Sequence, residues 1–283
     1  MLMPDRPRWK NRATAIAALL AGCWMGPVAS ASTVDRFEGR ALIVHVPASL
    51  PPAGTRALVV VLHGGMGNAD RIADQSAEQG LNMDAVADRN GFVVVYLNGT
   101  PVTRRLGPKF LGWNAGGCCG MSAENKIDDV GYIAGAVDYL AGKYGIDKSR
   151  VYGVGHSNGA MMSQRIVCET TLYAAAVAIS GPLGLDTAKC PGASGRRILA
   201  IHGADDQNVP IGGGRGKGLS DANFHSEEQA RTTFTNSGAT YTLEVVPGAA
   251  HQLAGIQDVI VKTQGVTIAE KAARFFGLTK PNP

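Results

Sequence analysis

The pentapeptide Gly155-His156-Ser157-Asn158-Gly159 holds the residues best suited to chemistry. It stands between a short apolar run, residues 151–154, and a segment over 158–168 with apolar residues at helical spacing. Strand, sharp turn and helix in that order place a serine on a strained elbow with its hydroxyl exposed. Glycine on either side permits the turn, because a Cβ there would crowd it. The N-terminus of the helix would aim free N–H groups at the same point, which suits a developing negative charge. The chemistry implied is nucleophilic attack by Ser157 on a carbonyl.

A serine hydroxyl is a poor nucleophile until a base takes its proton and a third group orients that base. Six histidines are available. His45 falls within an early strand, and His63 precedes two glycines, where it would support a loop. His156 belongs to the elbow and would point away from it. His202 ends an apolar run, and His225 precedes a helical segment as a solvated cap residue. His251 follows the run 241–246 in Pro247-Gly248-Ala249-Ala250-His251. Open parallel sheets gather their sites at the C-terminal ends of their strands. Serine elbows of this type order their partners as serine, acid, histidine, so His251 is the expected base. Asp205 and Asp206, just after the run 198–202, are both candidates for the acid. The negative oxygen formed during attack needs donors. Those expected are the backbone N–H of Asn158 and that of Gly65 in His63-Gly64-Gly65-Met66, with Met66 second in line. One such donor is worth about 3 kcal/mol.

The elements that must position these residues follow from periodicity. Strands are expected over 35–47, 57–62, 92–96, 151–154, 174–179, 198–202 and 241–246. Helices are expected over 70–90 (one or two), 128–144, 158–168, 226–237 and 268–276. The continuous apolar runs predict strands buried on both faces. Alternation of strands and helices predicts an α/β fold, a mostly parallel sheet with helices on both sides. Asp128 and Asp129 are read as favouring the start of the third helical segment. Residues 97–125 form a long loop, and such loops are usually functional or stapled. The run 212–218 is a glycine-rich loop. Gly153, Gly155 and Gly159 also make a G-x-G-x-x-x-G run, but no acidic residue ends the following strand, so a dinucleotide site is not expected.

The 283 residues suffice for one large domain. The net charge of +4 is concentrated at the start, where Arg6, Arg8, Lys10 and Arg12 face only Asp5. The remainder is nearly neutral, which gives no footprint for a nucleic-acid partner. A basic start, an apolar run too short to span a membrane, and Ala29-Ser30-Ala31 read as a signal peptide over residues 1–31. The domain is then 32–283. Leu20-Ala21-Gly22-Cys23 offers a second reading, a lipoprotein held at the membrane through Cys23. Export agrees with four remaining cysteines, Cys118, Cys119, Cys168 and Cys190, an even number that suggests two disulfides. A bridge between adjacent cysteines is disfavoured. Cys118 and Cys119 are therefore expected to reach out, one to Cys168 and one to Cys190. Neither their spacing nor a histidine pair suits zinc, and no cofactor is expected.

Five stretches together carry a resemblance. They are Leu62-His63-Gly64-Gly65, Trp113-Asn114-Ala115-Gly116-Gly117-Cys118-Cys119-Gly120, Asp128-Asp129-Val130-Gly131-Tyr132, Gly155–Met162, and His202-Gly203-Ala204-Asp205-Asp206-Gln207-Asn208-Val209-Pro210. Over about residues 36–277 the chain resembles the esterase family that includes poly(3-hydroxybutyrate) depolymerases and feruloyl or acetylxylan esterases, within the α/β-hydrolase fold. The resemblance implies no large cap domain. It places the acid four residues after His202 and three before Val209, which is Asp206. It implies Ser157 as nucleophile and His251 as base. Two positions depart from the family. Gln252-Leu253-Ala254-Gly255 stand where a tryptophan is common, and Ile211 stands where a tyrosine is common. Both departures bear on the substrate and leave the three reactive positions intact.

The expected function is a secreted serine esterase acting on hydroxyalkanoate oligomers or polyester, or on feruloyl or acetyl esters. Two rivals are weighed. A serine peptidase on the same fold usually carries a cap or propeller domain, for which 283 residues leave little room. A cell-surface binding protein without catalysis would have no need of Ser, Asp and His in this order.

Overall fold

The computed structural model describes residues 30–217 and 222–280. Residues 1–29 of the expected leader, including Cys23, and the end of the glycine-rich run 212–218 lie outside the described residues.

The described residues open with β1 (Ala31–Phe37) and β2 (Arg40–Val46), a hairpin turned at Glu38-Gly39, both with positive φ. One strand was expected here; the left-handed pair splits it in two. Next come β3 (Arg56–Leu62), α1 (Ala69–Ala73), α2 (Asp84–Asn90) and β4 (Val93–Leu97). The long loop after β4 carries a two-residue ribbon, β5 (Thr100–Pro101) with β6 (Leu111–Gly112), and a short helix α3 (Gly120–Glu124). The chain continues through α4 (Asp129–Tyr144), β7 (Ile146–His156), α5 (Asn158–Glu169), β8 (Ala175–Ile179) and β9 (Arg197–Gly203). A second small ribbon, β10 (Gly214–Arg215) with β11 (Asn223–Phe224), precedes α6 (Glu227–Asn236), β12 (Thr240–Val246), α7 (Leu253–Gln264) and α8 (Ile268–Phe276). Helix α7 has no counterpart in the sequence reading.

Eight strands form one sheet in the order β1-β2-β4-β3-β7-β8-β9-β12. The β1–β2 and β2–β4 pairs are antiparallel and the rest are parallel. Alternate residues of β3 feed the two faces. Leu58, Val60 and Leu62 pack with Ile133, Val137, Met162, Ile166 and Phe234 of α4, α5 and α6. Val59 and Val61 pack with Ile72, Ile256, Ile260, Ile268 and Phe276 of α1, α7 and α8. Each such buried side chain contributes about 1.5–3 kcal/mol. The parallel centre of the sheet thus has both faces covered, as its unbroken apolar runs require.

The cysteine pairing differs from the expectation. Cys118 is paired with its neighbour Cys119, and Cys168 with Cys190. The reason lies in α5. Cys118 shares a cavity wall with Met161 in the first turn of that helix. Cys168 is seven residues beyond Met161, about 10 Å further along the helix. Cys190 instead lies beside the end of the helix, where Gly192 N–H donates to the Cys168 carbonyl at 2.8 Å.

Candidate active site

β7, β8 and β9 run in parallel, so their C-terminal ends meet at one edge. At the end of β7, Ser157 has φ 55° and ψ −121°. This left-handed backbone is costly for a residue with a Cβ. It is held by Ser157 N–H donating to the Ile179 carbonyl at 2.8 Å and by the Ser157 carbonyl accepting from Met161 N–H at 3.0 Å. Glycine is required beside it. A Cβ on Gly155 would collide with the Gly159 backbone, and one on Gly159 with the Leu62 and His63 carbonyls.

Ser157 Oγ lies 2.9 Å from His251 Nε2. His251 Nδ1 lies 2.7 Å from Asp206 Oδ2. The other Asp206 oxygen accepts from the N–H groups of Asn208 and Val209, both at 2.9 Å. The Asp206 side chain is fully buried, whereas His251 is slightly exposed. Burial opposes ionisation of Asp206, but hydrogen bonds from His202 and His251 outweigh it and hold the carboxyl well below the usual range. Asp205 is exposed, and among the described residues only its N–H is engaged, with the Ala249 carbonyl at 3.0 Å. The structure therefore brings together Ser157, Asp206 and His251 and leaves Asp205 outside.

The loop after β3 packs against the elbow. A Cβ on Gly64 would lie 3.3 Å from Ser157 Cβ, and one on Gly65 would lie 3.7 Å from Asn158 Cβ. Met66 has φ 63°, and Gly67 N–H donates to the Gly64 carbonyl at 3.0 Å, which closes a tight turn. His63 supports that turn. Its Nδ1–H donates to the Gly64 carbonyl at 2.7 Å, and its Nε2 accepts from Gly99 N–H at 3.1 Å. Burial pushes this imidazole down to about 4, so it stays neutral. Asn158 heads α5, so its N–H has no partner within the helix. Its side chain is already used: Oδ1 accepts from Trp113 N–H at 2.7 Å and Nδ2 donates to the Trp113 carbonyl at 3.0 Å. Asn158 and Gly65 thus face each other beside Ser157.

The Trp113 loop is anchored from below. Asp128 caps α4 by accepting from Gly131 N–H. Asp129 is buried and accepts from Arg40 Nη1 at 2.6 Å and from Asn114 N–H at 2.7 Å. Capping explains the first aspartate; the second holds the loop.

His156 and His225 do not reach Ser157 Oγ. His156 donates Nε2–H to the His251 carbonyl at 2.9 Å. Burial, aided by the nearby His251, pushes it down to about 3. His225 donates Nδ1–H to the Leu183 carbonyl at 3.1 Å. It lines a cavity of about 290 Å³ whose other walls include Met161, Pro182, Leu183, Leu185 and Phe224. Gly181, next to Pro182, packs on the Ser157 backbone, so this cavity adjoins the elbow.

Sequence reasoning missed the groups behind Asp206. His202 Nδ1 meets Glu227 Oε1 at 2.7 Å, and its Nε2 lies 3.3 Å from Asp206 Oδ2. The spacing of His202 four residues before Asp206 was visible. The approach of Glu227 from α6 had no local signal.

Residues 81–193 match the prolyl oligopeptidase family. The chain is 32% identical over 195 residues to NocK of Nocardia uniformis subsp. tsuyamanensis, named as a candidate esterase, covering 66% of this chain and 52% of that protein. It is 28% identical over 184 residues to feruloyl esterase B of Piromyces equi, covering 62% of this chain and 31% of that one. The match thus spans about half, or less, of these relatives' own length. The feruloyl esterase module of Clostridium thermocellum superposes with a TM-score of 0.56 at 14% identity, over 90% of this chain and 91% of that module. The chain has the α/β-hydrolase fold and is similar in sequence to feruloyl and acetylxylan esterases.

Proposed function

We infer that the protein is an exported serine carboxylic-ester hydrolase whose single catalytic domain is residues 32–283. The observation that carries this reading is the unbroken hydrogen-bond chain from Ser157 Oγ through His251 to Asp206, at 2.9 and 2.7 Å. His251 Nε2 takes the Ser157 proton as Oγ attacks the ester carbonyl. The N–H groups of Asn158 and Gly65 hold the resulting oxyanion. The intermediate collapses, the C–O bond to the alcohol breaks, and His251 returns the proton to that alcohol. Water then repeats the sequence on the acyl-enzyme, with His251 again as base, and frees the acid. Asp206 stays ionised throughout and keeps the imidazole in register.

The substrate classes that fit are feruloyl and acetyl esters and short hydroxyalkanoate oligomers. The cavity lined by Met161, Pro182, Leu183, Leu185 and Phe224, next to the elbow, suits an apolar substrate group. Export through the leader, or anchoring through Cys23, accords with a cysteine-bridged domain. The test is side-by-side hydrolysis of a feruloyl ester, an acetyl ester and a hydroxybutyrate oligomer, with Ser157→Ala as blank. Turnover of at least one above the blank is expected. No Ser157-dependent turnover of any of the three would refute the reading.

A second reading, a peptidase, is favoured by the match to the prolyl oligopeptidase family. The same attack would then expel an amine. Cleavage of acyl-proline or alanine anilides faster than of any ester would establish it.

A further inference from the structure

Behind the acid lies a second buried layer of ionisable groups. His202, the penultimate residue of β9, has no solvent exposure. Its Nε2 lies 2.9 Å from the Val209 carbonyl, which can only accept, so Nε2 carries a hydrogen. Its Nδ1 lies 2.7 Å from Glu227 Oε1. The other oxygen of Glu227 accepts from the Tyr241 hydroxyl. Glu227 is itself buried, and a buried carboxylate is stable only when its oxygens are supplied with donors. Both ring nitrogens of His202 therefore face acceptors. A neutral imidazole offers one N–H, and an imidazolium offers two.

We propose that His202, held as an imidazolium by Glu227, is a positioning residue: it fixes Asp206 on His251 and weakens that carboxylate's hold on the His251 proton. The proposal rests on the esterase reading above for its catalytic half. Asp206 then receives three donors, His251 on Oδ2 and the N–H groups of Asn208 and Val209 on Oδ1, and its Oδ2 lies 3.3 Å from the charged His202 ring. It cannot rotate away without losing them. The groups that face His202 are Glu227 from α6, Asp206 from its own loop, and His251 and His156 from across Asp206, with Tyr241 of β12 beyond Glu227. Burial opposes the charge on His202, but hydrogen bonds to Asp206 and Glu227 raise it to about 9.

A sign follows. With the positive charge gone, Asp206 attracts the His251 proton more strongly. The acidic limb of kcat/KM, which reports the free base, then moves to higher pH. A residue that merely fills space would lower activity without moving that limb.

The experiment uses the full chain, with 15N-labelled histidine for NMR and p-nitrophenyl acetate turnover from pH 5 to 10. His202→Gln and Glu227→Gln are compared with the wild type, and Ser157→Ala is the blank. In the wild type at pH 8, His202 shows two protonated ring nitrogens, and Glu227→Gln loses one. In His202→Gln, kcat falls about tenfold, the scale of one charge-assisted hydrogen bond, at unchanged KM. The acidic limb rises by about one pH unit in both variants. A neutral His202 in the wild type at pH 8 overturns the clamp. A wild-type limb and kcat in both variants overturn the positioning role. Should His202→Gln not fold, the wild-type spectrum and Glu227→Gln decide. If the wild type shows no turnover beyond the blank, the esterase reading falls and the catalytic half falls with it, while the spectrum still reads the charge on His202.

Discussion

His156 donates its Nε2–H to the backbone carbonyl of His251, 2.9 Å away. The residue just before Ser157 therefore ties down the loop that carries His251. Two loops separated by 95 positions in sequence are joined by one neutral, buried imidazole.

Cutting that tie should misplace the base rather than remove it. His156→Ala is expected to lower kcat/KM about 10- to 100-fold, the cost of a displacement near 1 Å in a reacting pair. His156→Gln, which can still donate an N–H, should recover part of the loss. Steady-state kinetics on both variants check this.

The choice between the adjacent acids is open to a direct comparison. Asp206→Asn is expected to lower kcat by about 10⁴-fold, because the amide would favour the wrong tautomer of His251. Asp205→Asn, at an exposed position, should change kcat by about twofold or less. Equal losses in the two would contradict the assignment.

Stability should peak near pH 6.5. His63 and His156 take up protons only near pH 4 and 3 when folded, against 6.5 for a free imidazole. Between those values the unfolded chain binds more protons, so stability falls as pH drops below 6.5. His202 has the opposite sign. Its folded value of about 9 means that the stability it contributes is complete below 6.5 and is lost as pH rises through 9. Thermal melts from pH 4 to 10 should show the highest Tm near 6.5 and a decline on both sides. A monotonic trend would be inconsistent with these environments.

The bridge between Cys168 and Cys190 closes a loop of 22 positions. Its removal in a Cys168→Ala, Cys190→Ala double variant should cost about 3 kcal/mol. The bridge is at the far end of α5 from Ser157, so fluorophosphonate labelling of Ser157 at 25 °C should proceed at the wild-type rate. Denaturant titration and labelling kinetics separate the two effects.

The sequence made the elbow legible because its requirements are local: two glycines, a strand before and a helix after. The central strands were legible because double burial leaves unbroken apolar runs. The order Ser157, Asp206, His251 was readable as an order; their meeting point depends on β7, β9 and β12 ending at one edge. Other features were not readable. The hairpin at Glu38-Gly39 was merged into one strand because the single glycine there was given no weight against the apolar–polar alternation around it, although Gly39 takes the positive φ of a turn. Helix α7 was passed over although Leu253, Ile256 and Ile260 recur on one face, since Gly255 and the valines dilute its helical character. The cysteine pairing depended on the distance along α5, and the Glu227 contact on how α6 docks. Both are facts of packing rather than of spacing.

Among the described residues, β12 ends the sheet and is bonded to β9 alone. His251 hangs from the turn that follows it. Local opening costs less free energy than global unfolding and concentrates where an element has few neighbours. Fraying of this one strand would part His251 from Ser157 with the core still formed. On slow heating, turnover should vanish several degrees before circular dichroism registers the loss of the sheet, and a ligand that grips His251 should close that gap.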